Sequence, residues 1–132
     1  MATRSTETFP SLQLVPTRVH GIIDYVTGLL LIVAPFALGF NTGGAEQWVP
    51  IILGISALIY SLITRYELGV SPMIPMPIHL VLDAASGVLL AASPWLFGFA
   101  DQIAWPHVTV GIFEVVMSVI TQTKPGRLRR SA

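Results

Sequence analysis

Four long apolar stretches, from about Arg18 to Leu38, Trp48 to Tyr66, Pro77 to Phe97 and Trp105 to Gln122, alternate with short polar or proline-rich joints along the chain. Each is close to the roughly 20 residues that a helix needs to cross a hydrocarbon core about 30 Å thick. The joints, Asn41 to Gln47, Glu67 to Met76 and Ala100 to Ala104, are short enough to make consecutive helices antiparallel. The pattern predicts an all-α, polytopic membrane protein with four transmembrane helices.

The pattern is also written twice. Pro16, His20, Asp24, Gly28, Leu30, Leu31, Pro35, Gly39 and Phe40 recur 59 positions later as Pro75, His79, Asp83, Gly87, Leu89, Leu90, Pro94, Gly98 and Phe99. Past the shorter loop of the second copy the offset is 57, and Trp48, Gly54, Ile55, Ser61, Ile63 and Thr64 recur as Trp105, Gly111, Ile112, Ser118, Ile120 and Thr121. The repeating unit is a complete helical hairpin. It divides the chain into a tail (1–15), a first repeat (16–66), a Pro-rich linker (67–76), a second repeat (77–122) and a basic tail (123–132). With two spans per unit, both copies enter the membrane from the same side, as parallel repeats about an axis along the membrane normal. The first stretch has the basic lead and apolar run of a signal peptide. Its twin is internal, which favours a retained helix.

Composition narrows the picture. The chain is 53% hydrophobic and 11% charged, against about 25% charged for an ordinary soluble domain. Net charge is zero and no basic stripe exists, so the bilayer rather than nucleic acid is the expected partner. The absence of cysteine excludes disulfides, thiolate metal ligands, Cys nucleophiles and thiol redox chemistry. All seven basic residues, Arg4, Arg18, Arg65, Lys124, Arg127, Arg129 and Arg130, fall on the side that holds both tails and the linker. Positive charge marks the cytoplasmic side, so a multi-pass protein of the cell membrane with both termini cytoplasmic is expected. The other side collects Phe36, Phe40, Trp48, Trp95, Phe97, Phe99 and Trp105, which predicts an aromatic belt at the outer interface.

The third stretch ends in Ser93-Pro94-Trp95, followed by Leu96-Phe97-Gly98-Phe99, and the first ends in Ala34-Pro35-Phe36-Ala37-Leu38-Gly39-Phe40. This resembles the SPW repeat family, small membrane proteins named for that tripeptide in the first of two transmembrane helices. The resemblance implies a membrane location and a tandem two-helix architecture, and it carries no activity to transfer. Of the tripeptide the first copy keeps only the proline, so a role needing the Ser hydroxyl or the indole twice does not follow. Proline lacks an amide proton and crowds the carbonyl four residues back, so Pro35 and Pro94 free the carbonyls of Leu31 and Leu90, where a kink is expected. Trp95 then reaches the headgroups, and Gly98 can take the left-handed conformation that stops a helix. The motif reads as a terminator with an interfacial anchor in preference to a ligand site.

Ionisable residues within the bilayer are where chemistry would reside, because a charge near a helix centre costs roughly 3 kcal/mol. Asp24 follows His20, and Asp83 follows His79, by four residues, which puts imidazole and carboxylate on one helix face about 6 Å apart along the axis. A local His–Asp hydrogen bond that satisfies the carboxylate is the first reading. A proton or ion path is the second. A metal site of two imidazoles and two carboxylates gathered across the pseudo-twofold is the third. Glu114 sits near the middle of the fourth stretch, where the first copy has Ala57. It is expected to be neutral, bonded to a backbone carbonyl or a neighbouring subunit, or close enough to Asp83 to share a proton. His107, beside Trp105 and Pro106, reads as an interfacial residue.

Small residues at helical spacing, Gly54, Ala57 and Ser61, Ala84, Ser86, Gly87 and Ala91, and Gly111 and Ser118, mark faces of close helix approach, within the bundle or in a homo-oligomer. The sequence contains no nucleophile constellation and no phosphate loop. The leading expectation is a structural or accessory membrane protein that self-associates, without enzymatic activity or cofactor. The alternative is a small proton- or ion-coupled channel or transporter using His20, Asp24, His79, Asp83 and Glu114. A membrane-embedded metalloenzyme holding metal on the two His–Asp pairs is the remaining class.

Overall fold

The structure is a computed structural model that describes residues 13–126. These form four helices: α1 (Thr17–Ala37), α2 (Ala45–Leu62), α3 (Met76–Leu96) and α4 (Trp105–Ile120). No strand occurs among the described residues, so the fold is all-α. Three helices are long and apolar enough to span a membrane, and α4 is a shorter apolar helix of 16 residues. Their outer faces fit lipid and not water. On α1, Ile22, Val26, Leu29 and Val33 are all more than half exposed, while His20, Asp24, Gly28 and Leu31 turn inward. A soluble helix would show the reverse.

Each repeat is one tightly packed antiparallel hairpin, α1 on α2 and α3 on α4, and α2 makes a lesser contact with α3. Glycine sets the closeness. A Cβ built on Gly54 would stand 2.6 Å from the Gly28 carbonyl oxygen, and one on Gly111 would stand 2.5 Å from the Gly87 carbonyl oxygen. The four glycines are equivalent positions of the two copies, so the small residues Gly54, Gly87 and Gly111 are used within the hairpins.

At one end of the bundle lie Arg18, Arg65 and Lys124, and this is the basic end. Arg4, Arg127, Arg129 and Arg130 lie outside the described residues. Two equivalent backbone clips close the basic end. The amides of Leu14 and Val15 donate to the Ile120 carbonyl, and those of Met73 and Ile74 donate to the Ile63 carbonyl. These clips explain why α2 stops at Leu62 and not at Tyr66, the expected end of the second stretch: residues 63–65 leave the helix to pair with 73–74. At its other end α2 begins before Trp48, and Gly43 N donates to the Gln47 side chain.

At the opposite, aromatic end, α1 and α3 stop in the same way. Gly39 and Gly98 take φ of 75° and 74°, and the amides of Phe40 and Phe99 reach back to the carbonyls of Pro35 and Pro94, each at 2.8 Å. This is a Schellman stop, in which only glycine enters the left-handed region cheaply. Ser93 Oγ donates to the Leu90 carbonyl at 2.6 Å, the group that Pro94 leaves without its amide partner. The tripeptide is therefore a self-satisfied helix end, with Trp95 projecting 64% exposed. The expected aromatic belt needs correction. Phe36, Trp48, Trp95, Phe97 and Trp105 face outward, whereas Phe40 and Phe99 are buried, because the glycine stop folds each back under its own helix.

Candidate functional site

Two turns in from the basic end, the four residues of the two His–Asp pairs meet. His20 and Asp24 come from α1, and His79 and Asp83 from α3; all four are 9% exposed or less. The pairing within each helix is present, with His20 Nε2 at 3.0 Å from Asp24 and His79 Nε2 at 3.2 Å from Asp83. The shorter contacts cross between the repeats. His20 Nε2 stands 2.7 Å from Asp83 Oδ2, and His79 Nε2 stands 2.9 Å from Asp24 Oδ2. The local His–Asp pair expected from i,i+4 spacing is thus only half of the arrangement, since the twofold relation brings the second helix's carboxylate closer than the first helix's own. One ligand atom from each of the four residues lies within 4.8 Å of all the others.

The other ring nitrogens are held from α2 and α4. His79 Nδ1 is 2.7 Å from Thr64 Oγ1, and His20 Nδ1 is 2.7 Å from Thr121 Oγ1. Each threonine hydroxyl donates its own hydrogen to the carbonyl four residues back, Tyr60 and Met117, among the last carbonyls of α2 and α4 that lack an amide partner. The hydroxyl then has only lone pairs to offer, so Nδ1 is the donor and Nε2 is the atom aimed at the carboxylates. Thr64 and Thr121 were visible in the sequence as matched positions of the repeat, but the rings they orient belong to other helices, and no local spacing joins them.

Symmetry fails around this centre in two places. Tyr60 OH donates to Asp83 Oδ1 at 2.5 Å, and the equivalent residue in the second copy is Met117, which has no hydroxyl to offer Asp24. Glu114, in place of Ala57, lines a cavity of about 10 Å³ together with His20, Asp24 and Asp83, room for roughly one water-sized particle. Its Oε2 is buried and has no hydrogen-bond partner. The carboxyl therefore adjoins the quartet as the repeat geometry suggested, and that oxygen accepts from no group among the described residues. Tyr60 and Tyr66 pack their rings against His79, with centroids 5.0 Å and 5.4 Å away.

His107 corrects its expected place at the interface. It is 2% exposed, held between the rings of Phe40 and Phe99, with Nε2 donating to the Glu46 carbonyl at 2.9 Å. It belongs to the packing of the aromatic end and is remote in the fold from the quartet. Ser93, Pro94 and Trp95 also lie at that end and take no part in the polar centre.

A bundle of apolar helices with a buried polar quartet shared between two hairpin repeats defines a small membrane protein with a buried ionisable centre. Within that class the chain belongs to the SPW repeat family: the model of the SPW repeat domain matches residues 18–121. The match takes in both hairpins, the quartet and Glu114. No curated protein and no solved structure matches the chain.

Proposed function

We propose that this SPW repeat protein handles a cation inside the membrane, binding it at the quartet and exchanging it through the cavity lined by Glu114. The observation that carries this reading is the meeting of two imidazole Nε2 atoms and two carboxylates, from both repeats, at one centre. Ionisable groups inside a membrane are costly and mark ion pathways more often than scaffolding. Glu114 supports it as the neighbouring oxygen with no partner of its own. We read the activity as non-enzymatic, because the quartet residues are engaged with one another. Seven basic residues on one side favour the cell membrane with both termini cytoplasmic, which puts the quartet nearer the cytoplasmic end. Because the chain has no cysteine, single cysteines at Lys124 and at Thr42 report orientation directly. An impermeant thiol reagent added outside whole cells should label the second and spare the first.

Cation flux into proteoliposomes tests the reading. Wild-type flux above empty vesicles, lost in both Asp83→Asn and Glu114→Gln, is expected; wild-type flux equal to empty vesicles would overturn it. A scaffold reading, in which the protein is an accessory that self-associates, is favoured by one observation: each crossed contact ties one repeat to the other. It predicts that Asp83→Asn lowers the unfolding temperature while no flux exists to lose, and that native mass spectrometry in mild detergent finds oligomers.

A further inference from the structure

We infer that His20, Asp24, His79 and Asp83 form a tetrahedral site for one divalent transition-metal ion, held by both imidazole Nε2 atoms and one oxygen of each carboxylate. The inference rests on the reading of the quartet as a cation site and names the class of cation.

Three features of the centre select that class. The first is the orientation of the rings. Thr64 and Thr121 accept from Nδ1, which leaves Nε2 to face the centre either as a second N–H or as a lone pair. Metal-binding histidines are held in this way, with the remote ring nitrogen donating to a fixed acceptor. Here the acceptor is a hydroxyl itself anchored on a helix-end carbonyl.

Charge is the second. With both Nε2 atoms protonated, two imidazolium ions face two carboxylates and the buried centre is neutral. A divalent ion that displaces those two protons also leaves it neutral. The exchange, in which M²⁺ enters, two Nε2–H bonds break, two N–M and two O–M bonds form and two protons leave, moves no net charge into the low-dielectric interior. A divalent ion exchanged for one proton would leave the centre charged at high cost. A monovalent ion exchanged for one proton is equally neutral, so charge permits the divalent ion and the donor set selects it.

Spacing and donor type are the third. The four His–Asp contacts are 2.7 to 3.2 Å long, with Asp24 turning Oδ1 to His20 and Oδ2 to His79, and ligand atoms taken one from each residue lie within 4.8 Å of one another. A tetrahedral ion with bonds of about 2.0 to 2.1 Å spaces its ligand atoms by roughly 3.3 Å. Binding an ion therefore widens the hydrogen-bonded pairs by a few tenths of an ångström and draws the more distant ligand atoms inward around it. Two nitrogens among four ligands disfavour Ca²⁺ and Mg²⁺, which take six or more oxygens, and suit an ion of the Zn²⁺ or Co²⁺ type. Four protein ligands leave no open position, so such an ion would be held or passed on and would not activate a water.

The test uses the full chain purified in mild detergent, loaded separately with Zn²⁺, Co²⁺, Mg²⁺ and Ca²⁺, desalted and analysed for metal. The expected result is one Zn²⁺ or Co²⁺ per chain, no retained Mg²⁺ or Ca²⁺, the strong visible absorption of tetrahedral Co²⁺, and about two protons released per ion in weak buffer. Asp24→Asn combined with Asp83→Asn should abolish retention. Thr121→Val keeps every ligand and should weaken Zn²⁺ binding by about 10- to 100-fold, which covers the case in which the double variant fails to fold. No retained ion in the wild type, retention undiminished by the double variant, or octahedral Co²⁺ absorption would overturn the inference. Cation flux without retained transition metal would remove this inference and leave the cation reading standing, whereas one bound Zn²⁺ without flux would do the opposite.

Discussion

At the residue scale, the hydroxyl groups carry most of the specificity. Ser93 meets the Leu90 carbonyl that the following proline leaves open, and leaving a buried acceptor without a partner costs about 1 to 3 kcal/mol. Ser93→Ala should therefore lower stability by an amount in that range, read as a fall in the unfolding midpoint in detergent. Trp95→Leu, at an exposed ring, should leave the midpoint nearly unchanged. Tyr60→Phe removes the hydroxyl that donates to Asp83 Oδ1. It should cost about 1 to 2 kcal/mol in the same measurement, and Met117→Leu, at the equivalent place in the second copy, should cost less. His20, Asp24, His79 and Asp83 were legible in the sequence because the repeat prints each twice at helical spacing. Their crossed partnership was not, since it depends on how two hairpins face each other. Tyr60 escaped notice for a related reason: its partner lies on another helix, and its own counterpart is not a tyrosine.

At the element scale, the glycines decide how near the helices lie. Gly111 faces Gly87 with no room for a Cβ, so Gly111→Val should push α3 and α4 apart and cost about 1 to 3 kcal/mol or more. Gly98 acts differently, through its left-handed φ of 74° with open space around it. Gly98→Ala should cost about 1 to 2 kcal/mol from backbone strain alone. Comparing the two variants by thermal unfolding separates packing from conformation. Helix existence and order were readable from apolar length, and the glycine stops from the motif. The lower end of α2 was misjudged, because the clip that draws residues 63–65 out of the helix is made by backbone groups, which leave no mark on the hydropathy pattern. The burial of Phe40 and Phe99 escaped for the same reason: composition places an aromatic ring at a membrane depth, but the stop that follows Gly39 and Gly98 decides which way it turns.

At the scale of the whole molecule, twofold repetition builds the scaffold, and two departures from it, Tyr60 and Glu114, adjoin the quartet. Between α1 and α4, towards the aromatic end, lies an apolar cavity of about 170 Å³ lined in part by Leu30, Ala34, Trp105 and Val110. Glu114 looks into the same flank nearer the basic end. Filling the cavity with Ala34→Leu should stabilise the protein or leave it unchanged. If α1 and α4 part to admit a cation, the same substitution should slow flux without altering metal retention. The crossed contacts have a further consequence for the order of synthesis. A ribosome delivers the first hairpin to the membrane before the second exists, and at that moment His20 and Asp24 have only each other. A charge inside a helix carries up to roughly 3 kcal/mol against insertion. With His20 alone to share it, Asp24 should make the first hairpin insert less well alone, to become fixed when α3 arrives with His79 and Asp83. The two halves, made as separate polypeptides, should then protect one another from degradation in the cell, and exchanging His79 and Asp83 for alanine should end that protection.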